Sequence, residues 1–211
     1  MSTYLEESVS QKEFQCADDK PNIFLIGDSI RMGYCKTAQA AMEGKANVFF
    51  VEDNCRNTQY VMTQIGRWCS KFSDPCKVDV VQFNCGHWDV AHWRGMDLPM
   101  TSPEEYRKNI GILIRLIRQE FVNARIIFAT TTPMNPNGIV GRNPRTNAQI
   151  DLYNQIASEV CAEYGVPVSD LNAFCRGWGS DAYADYCHLT RESFALLGEE
   201  VARRLCAFLN L

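Results

Sequence analysis

The 211-residue chain has no apolar run near 20 residues, no C-x-x-C pair, no cluster of basic residues, no G-x-G-x-x-G turn and only three histidines. Each lack removes a class of function. Apolar runs such as 23–26 and 126–129 stop after a few residues, far short of the roughly 20 that a spanning helix requires. Met1 to Lys20 carries acidic and polar residues where an export signal needs a basic start and an apolar stretch of about 7–15 residues. A soluble, cytoplasmic protein with no membrane contact is therefore expected. Lys and Arg number 21 against 25 Asp and Glu, a net charge of −4, so the electrostatic footprint of a nucleic-acid partner is missing. Without a C-x-x-C knuckle a zinc site has no support, and without the glycine fingerprint neither does a dinucleotide cofactor. The ten cysteines are scattered, most of them inside apolar patterns, and read as reduced, buried thiols rather than as a disulfide framework.

What remains is material for one core. With 46% of positions hydrophobic and 11% aromatic, a chain of this size should bury roughly 70% of its unfolded surface without staples. Residues 1–20 read as a polar N-terminal extension and 21–211 as a single domain. Short runs rich in Val, Ile and Phe at 22–26, 47–51, 78–83, 125–130 and 166–170 read as strands apolar on both faces, which belong in a parallel sheet covered by helices. Helical spacing follows at 34–44, 57–71, 103–122, 146–164 and 190–209. The third helix is marked by Thr101 or Ser102 as cap, Pro103 in the first turn and Glu104 and Glu105 behind it. Five βα units in succession predict an α/β, three-layer α/β/α sandwich with a flavodoxin-like, doubly wound five-stranded parallel sheet. Ligands then bind beyond the carboxyl ends of the strands, which directs attention to the residue after each strand.

After the first strand comes Gly27-Asp28-Ser29. Ser29 is placed for nucleophilic attack at a strand-to-helix turn, with glycine to permit the bend; Asp28 or Ser29 could equally cap the helix. A serine nucleophile needs a base and an orienting acid. Asp185-Tyr186-Cys187-His188 supplies both on one turn, with Asp181 a more distant acid. His87, Asp89 and His92 spell H-x-D-x-x-H, which invites a cation, but Trp88 and Trp93 beside them suggest an aromatic pocket wall; those two, Trp68 and Trp178 could also be simple core. The segment Thr130-Thr131-Thr132-Pro133 through Arg145 reads as a long polar loop over the site, with Arg142, Arg145 or Asn147 reaching substrate or merely solvated.

Gly27-Asp28-Ser29 near one end and Asp185-x-x-His188 near the other, bracketing five βα units over about 22–209, resemble the SGNH/GDSL hydrolases. The resemblance implies strand order 2-1-3-4-5, ester hydrolysis by a Ser, His and Asp triad (Ser29, His188, Asp185), no metal and no cofactor. It also implies an oxyanion hole made of the Ser29 amide, a second-block glycine amide and a third-block asparagine. Both later blocks depart from the pattern. Glu52-Asp53-Asn54-Cys55-Arg56-Asn57-Thr58 offers no glycine, leaving Cys55 or Arg56 as amide donor. Asn84-Cys85-Gly86-His87-Trp88-Asp89 has Trp88 where asparagine belongs, leaving Asn84 as the substitute donor or as a residue closing the strand turn. Trp88, Arg31, Asn57 and Thr132 are the expected substrate contacts. The expected activity is a serine esterase acting on a small-molecule ester with a short acyl group, such as acetyl on a carbohydrate. A thioesterase or lysophospholipase, or a non-catalytic carbohydrate-binding relative, are the alternatives, and self-association is left open.

Overall fold

The computed structural model describes residues 12–138 and 141–211. Five parallel strands, β1 (Asn22–Ile26), β2 (Asn47–Phe50), β3 (Val80–Phe83), β4 (Arg125–Ala129) and β5 (Val168–Ser169), lie in the order β2-β1-β3-β4-β5. Side chains alternate along each strand, and both faces are covered. Phe24, Ile26, Val81, Phe83, Ile126 and Phe128 pack under α2 (Thr58–Cys69), α3 (Pro103–Glu120) and α4 (Asn147–Glu163). Ile23, Leu25, Val80, Ile127 and Ala129 pack under α1 (Ser29–Ala41), the short α5 (Leu171–Cys175) and α6 (Arg191–Leu209). The result is the expected three-layer sandwich. Among the described residues no helix is long and apolar enough to cross a membrane. Cys35, Cys55, Cys69, Cys85, Cys161, Cys175 and Cys187 are buried and free.

The register aligns the strand ends that matter. Ile26 pairs with Phe83, and Phe83 with Phe128, so Gly27–Ser29, Asn84–His87 and Thr130–Thr132 emerge side by side. The order reverses between β1 and β3, which creates the crevice where doubly wound sheets take their ligands.

Three boundaries differ from the sequence reading. Phe14 is buried against Phe24, Phe49 and Phe72, and Lys12 Nζ donates to the Ser70 carbonyl. The packed chain therefore starts ahead of residue 21, and burial of that one ring contributes about 1.5–3 kcal/mol; residues 1–11 of the expected extension lie outside the described residues. The first helix begins at Ser29 rather than at 34 because Asp28 caps it, accepting from the Ile30 amide. The last strand shortens to two residues, and α5 follows it at once, with Asp170 accepting from the Ala173 amide as its cap.

Candidate active site

Ser29 is the first residue of α1, half-buried, at the carboxyl end of β1. Its Oγ lies 2.8 Å from His188 Nε2, across 159 residues of sequence. His188 Nδ1 lies 2.7 Å from Asp185 Oδ2. One tautomer satisfies both contacts: Nδ1–H donates to Asp185 and Nε2 accepts from the serine hydroxyl.

The turn that carries the histidine is built around the same carboxylate. Asp185 Oδ1 accepts the amides of Cys187 at 2.8 Å and His188 at 2.7 Å, leaving Oδ2 for the ring. The His188 carbonyl accepts from the Ala184 amide, Tyr183 bridges Leu189, and Asn135 donates its amide to the Tyr186 carbonyl and its side chain to that of Asp185. Burial alone would raise the Asp185 carboxyl, but the two amides and the imidazole outweigh it and hold it below the usual range. His188 moves the other way. The Cys187 sulfur beside Nδ1, working against burial, raises the imidazole, and Asp185 adds to the effect, bringing it to about 9. Asp181, in the turn Ser180–Ala182, is exposed and takes no part.

Gly27 earns its place by close approach rather than by bending. Its φ is not positive, yet a Cβ there would stand 1.9 Å from Asn84 Oδ1. The Asn84 side chain thus lies against the turn that carries Ser29, itself 6% exposed. Asp28 is fully buried beside it, and burial raises its carboxyl despite the Ile30 amide and the neighbouring Asn84.

Several expected contacts are corrected. Cys55 cannot offer its amide, because that N–H donates to the Gly27 carbonyl at 3.1 Å. The Arg56 amide donates to Asn54 Oδ1 at 3.0 Å, an exposed side-chain partner that can be displaced. Arg56 has φ 49°, the left-handed conformation that glycine ordinarily fills. Arg31 is not at the surface: it is 1% exposed, and its guanidinium donates to the carbonyls of Gly27, Val51 and Asp53, tying α1 to the end of β2. Thr132 is 2% exposed and places its hydroxyl 3.2 Å from His87 Nε2, so it does not face a ligand. Asn57 accepts from the Tyr60 amide as the cap of α2. Trp88 is half-buried and stacks on Trp93, with centroids 5.3 Å apart and planes 25° apart.

The two histidines and the carboxylate of H-x-D-x-x-H turn to separate partners. His92 Nδ1 meets the Met96 carbonyl and His87 meets Thr132. Asp89 is fully buried and accepts from the Thr58 amide, the Thr58 hydroxyl and the Thr101 hydroxyl. It therefore anchors the start of α2 to the loop after β3, a role that residue spacing did not reveal. Burial raises its carboxyl to about 6. Arg145 donates to the His87 carbonyl at 2.7 Å and to Cys187 Sγ at 3.4 Å, and Asn147 closes the loop onto Met134; Arg142 is exposed. Trp68 is core, and Trp178 packs on Phe174. A surface groove of about 450 Å³ lies at the other end of α1 among Lys36, Glu43, Asn47 and Phe49, with no serine, cysteine or histidine in its lining.

Solved structures share this architecture. The lipase/acylhydrolase of Enterococcus faecalis superposes with a TM-score of 0.68 at 21% identity, covering 89% of this chain and 96% of its own. The carbohydrate acetylesterase of Sinorhizobium meliloti gives 0.67 at 13% identity, covering 90% and 100%. An acetyl xylan esterase gives 0.66 at 15%, covering 87% and 99%. A search of curated proteins finds no match. At such identities these likenesses speak for the fold alone. The GDSL-like lipase/acylhydrolase family, however, matches residues 25–196, a span that runs from β1 through the Ser29 turn and the Asp185–His188 turn into α6. On that match the chain belongs to the GDSL-like lipase/acylhydrolase family.

Proposed function

We propose that the protein is a serine esterase that removes a short acyl group, acetyl first among them, from a small molecule such as a carbohydrate. The observation that carries this reading is the relay from Ser29 Oγ through His188 to Asp185, with steps of 2.8 and 2.7 Å. His188 Nε2 takes the hydroxyl proton as Ser29 attacks the ester carbonyl, and Asp185 holds the ring and steadies its charge. The tetrahedral oxyanion is held by the Ser29 amide at the start of α1, by Asn84 against Gly27, and by the Arg56 amide once Asn54 yields it. His188 then protonates the leaving alcohol. Water, activated by the same imidazole, attacks the acyl-serine, and the acid departs. No cofactor enters any step.

The substrate class rests on two further observations. Two related folds are carbohydrate esterases by description, and the stacked indoles of Trp88 and Trp93, the latter 36% exposed, offer a flat apolar face of the kind sugar rings pack on. Beside them a depression of about 390 Å³ is lined by His92, Met96, Arg145 and Gln149, and Arg145 reaches from it to Cys187, next to His188. The sugar would lie there, with the acyl carbon at Ser29.

Labelling with a fluorophosphonate tests the reading. Wild-type protein should be modified covalently at Ser29 and the Ser29→Ala variant should not. A folded wild-type protein that stays unlabelled and hydrolyses neither acetylated sugars nor p-nitrophenyl acetate would overturn it.

A further inference from the structure

The Asp185–His188 turn holds a donor that ester hydrolysis does not use. Cys187, buried between the two, brings its Sγ to 3.7 Å from His188 Nδ1. Carboxylate oxygen, ring nitrogen and sulfur all lie within 4.8 Å of one another, the only such cluster of three among the described residues. A tetrahedral zinc ion, with Zn–S about 2.3 Å and Zn–N about 2.0–2.1 Å, sets sulfur and nitrogen about 3.6 Å apart. The observed 3.7 Å fits that edge. The carboxylate, at 2.7 Å from Nδ1, is nearer than the roughly 3.3 Å that the same geometry asks for. It would have to draw back by about half an ångström, and at 45% side-chain exposure it has room to do so. A thiolate, an imidazole and one carboxylate favour zinc and its softer relatives over magnesium or calcium.

We propose that Asp185, Cys187 and His188 form an inhibitory site for a thiophilic divalent cation of the zinc class, with water completing the coordination. The inhibitory part rests on the reading of His188 as the general base. The cation binds the thiolate sulfur, releasing the thiol proton to solvent, and takes the Nδ1 lone pair. The ring proton formerly on Nδ1 then resides on Nε2, since a neutral imidazole keeps one N–H. An Nε2 that carries a proton cannot accept one from Ser29, so attack stops while the fold is untouched. Arg145, donating to Sγ at 3.4 Å, opposes the cation and must turn aside toward the His87 carbonyl that it already holds at 2.7 Å. That opposition makes the ion a removable inhibitor rather than a resident part of the protein.

Cobalt(II) reads the site without any need for turnover. Titrated into Ser29→Ala protein, it should produce the near-ultraviolet thiolate-to-cobalt charge-transfer band, and the band should vanish when Cys187→Ser is added. In parallel, zinc should lower wild-type hydrolysis of p-nitrophenyl acetate by about tenfold or more, as expected for a base held in the wrong tautomer. A chelator should restore it, and the Cys187→Ser protein, compared only with itself, should be insensitive. No cobalt band in the wild-type or Ser29→Ala protein overturns the site, whatever the folding of the cysteine variants. A band that persists in Cys187→Ser does the same, and a band without zinc inhibition overturns the inhibitory role. A Cys187-dependent band in a protein without esterase activity supports the site and counts against the esterase reading alone.

Discussion

Two loops lean on the turn that carries Ser29, and they are tied down in opposite ways. In the loop of residues 185–188 the polar groups converge: two amides and one imidazole all meet a single carboxylate, and the ring nitrogen left over points at Ser29. In the loop of residues 54–58 the amides diverge: Cys55 donates to Gly27, Arg56 to Asn54 and Thr58 to Asp89. The hydrogen bonds from Ser29 through His188 to Asp185 are thus in place in the free protein, whereas in the other loop, where the proposed reading seeks an anion, the amides already have partners. On the proposed reading, such a site has its nucleophile ready and draws its oxyanion contacts from few places, chiefly the Ser29 amide and Asn84.

The contrast can be broken most forcefully on the converging side. Replacing Ser29 or His188 by Ala should each lower turnover by about 10⁶, and the double variant should lose little more, because the two act as one unit. Additive losses in kcat would show that they do not. Next in size is the diverging side. Asn84→Ala should cost about 10²–10³ in kcat, the usual loss for one oxyanion donor. Gly27→Ala should approach the same loss, since its new methyl would displace the Asn84 side chain. If Gly27→Ala is fully active, Asn84 does not act from where it lies.

Stability separates the loops further. Asp89→Ala leaves the buried Thr58 amide without an acceptor, while the hydroxyls of Thr58 and Thr101 keep Gln59 Oε1, at about 1–3 kcal/mol for the buried donor left unpaired. Urea unfolding should show that loss, with the second-block loop loosened. A variant of unchanged midpoint would remove Asp89 as the anchor.

The last effect is one of pH. His188 is raised to about 9, and only its neutral form accepts a proton, so kcat/KM should rise with pH and level off only above that value. The stability contributed by its partners follows the opposite course, fully present below the unfolded value of about 6.5 and lost as pH rises through the folded value. A profile already flat at neutral pH would show that Cys187 and Asp185 do not hold the proton as the geometry suggests.

How much of this could be read from residues alone follows the same division. Strands apolar on both faces and the two short motifs at Ser29 and Asp185 are local patterns, and they located the sheet and the relay. Arg31 hid the start of α1, because a charge inside an apolar stripe breaks the period unless three carbonyls are known to receive it. Phe14 looked like part of a polar tail, since its aromatic partners lie 10 to 58 residues away. Whether the Cys55 amide is free depends on the Gly27 carbonyl, and whether Thr132 meets a ligand depends on His87. No spacing rule reports such long-range pairings.

One carboxylate with two occupied oxygens has a practical consequence for anyone dissecting this protein. Truncating Asp185 would unmoor the peptide backbone at the same moment as it frees the ring, so the fall in rate would mix geometry with electrostatics. An asparagine keeps an oxygen for the two amides and turns an amide group toward the imidazole. The gap between those two variants, rather than either alone, would measure how much of the residue's worth is scaffolding and how much is charge.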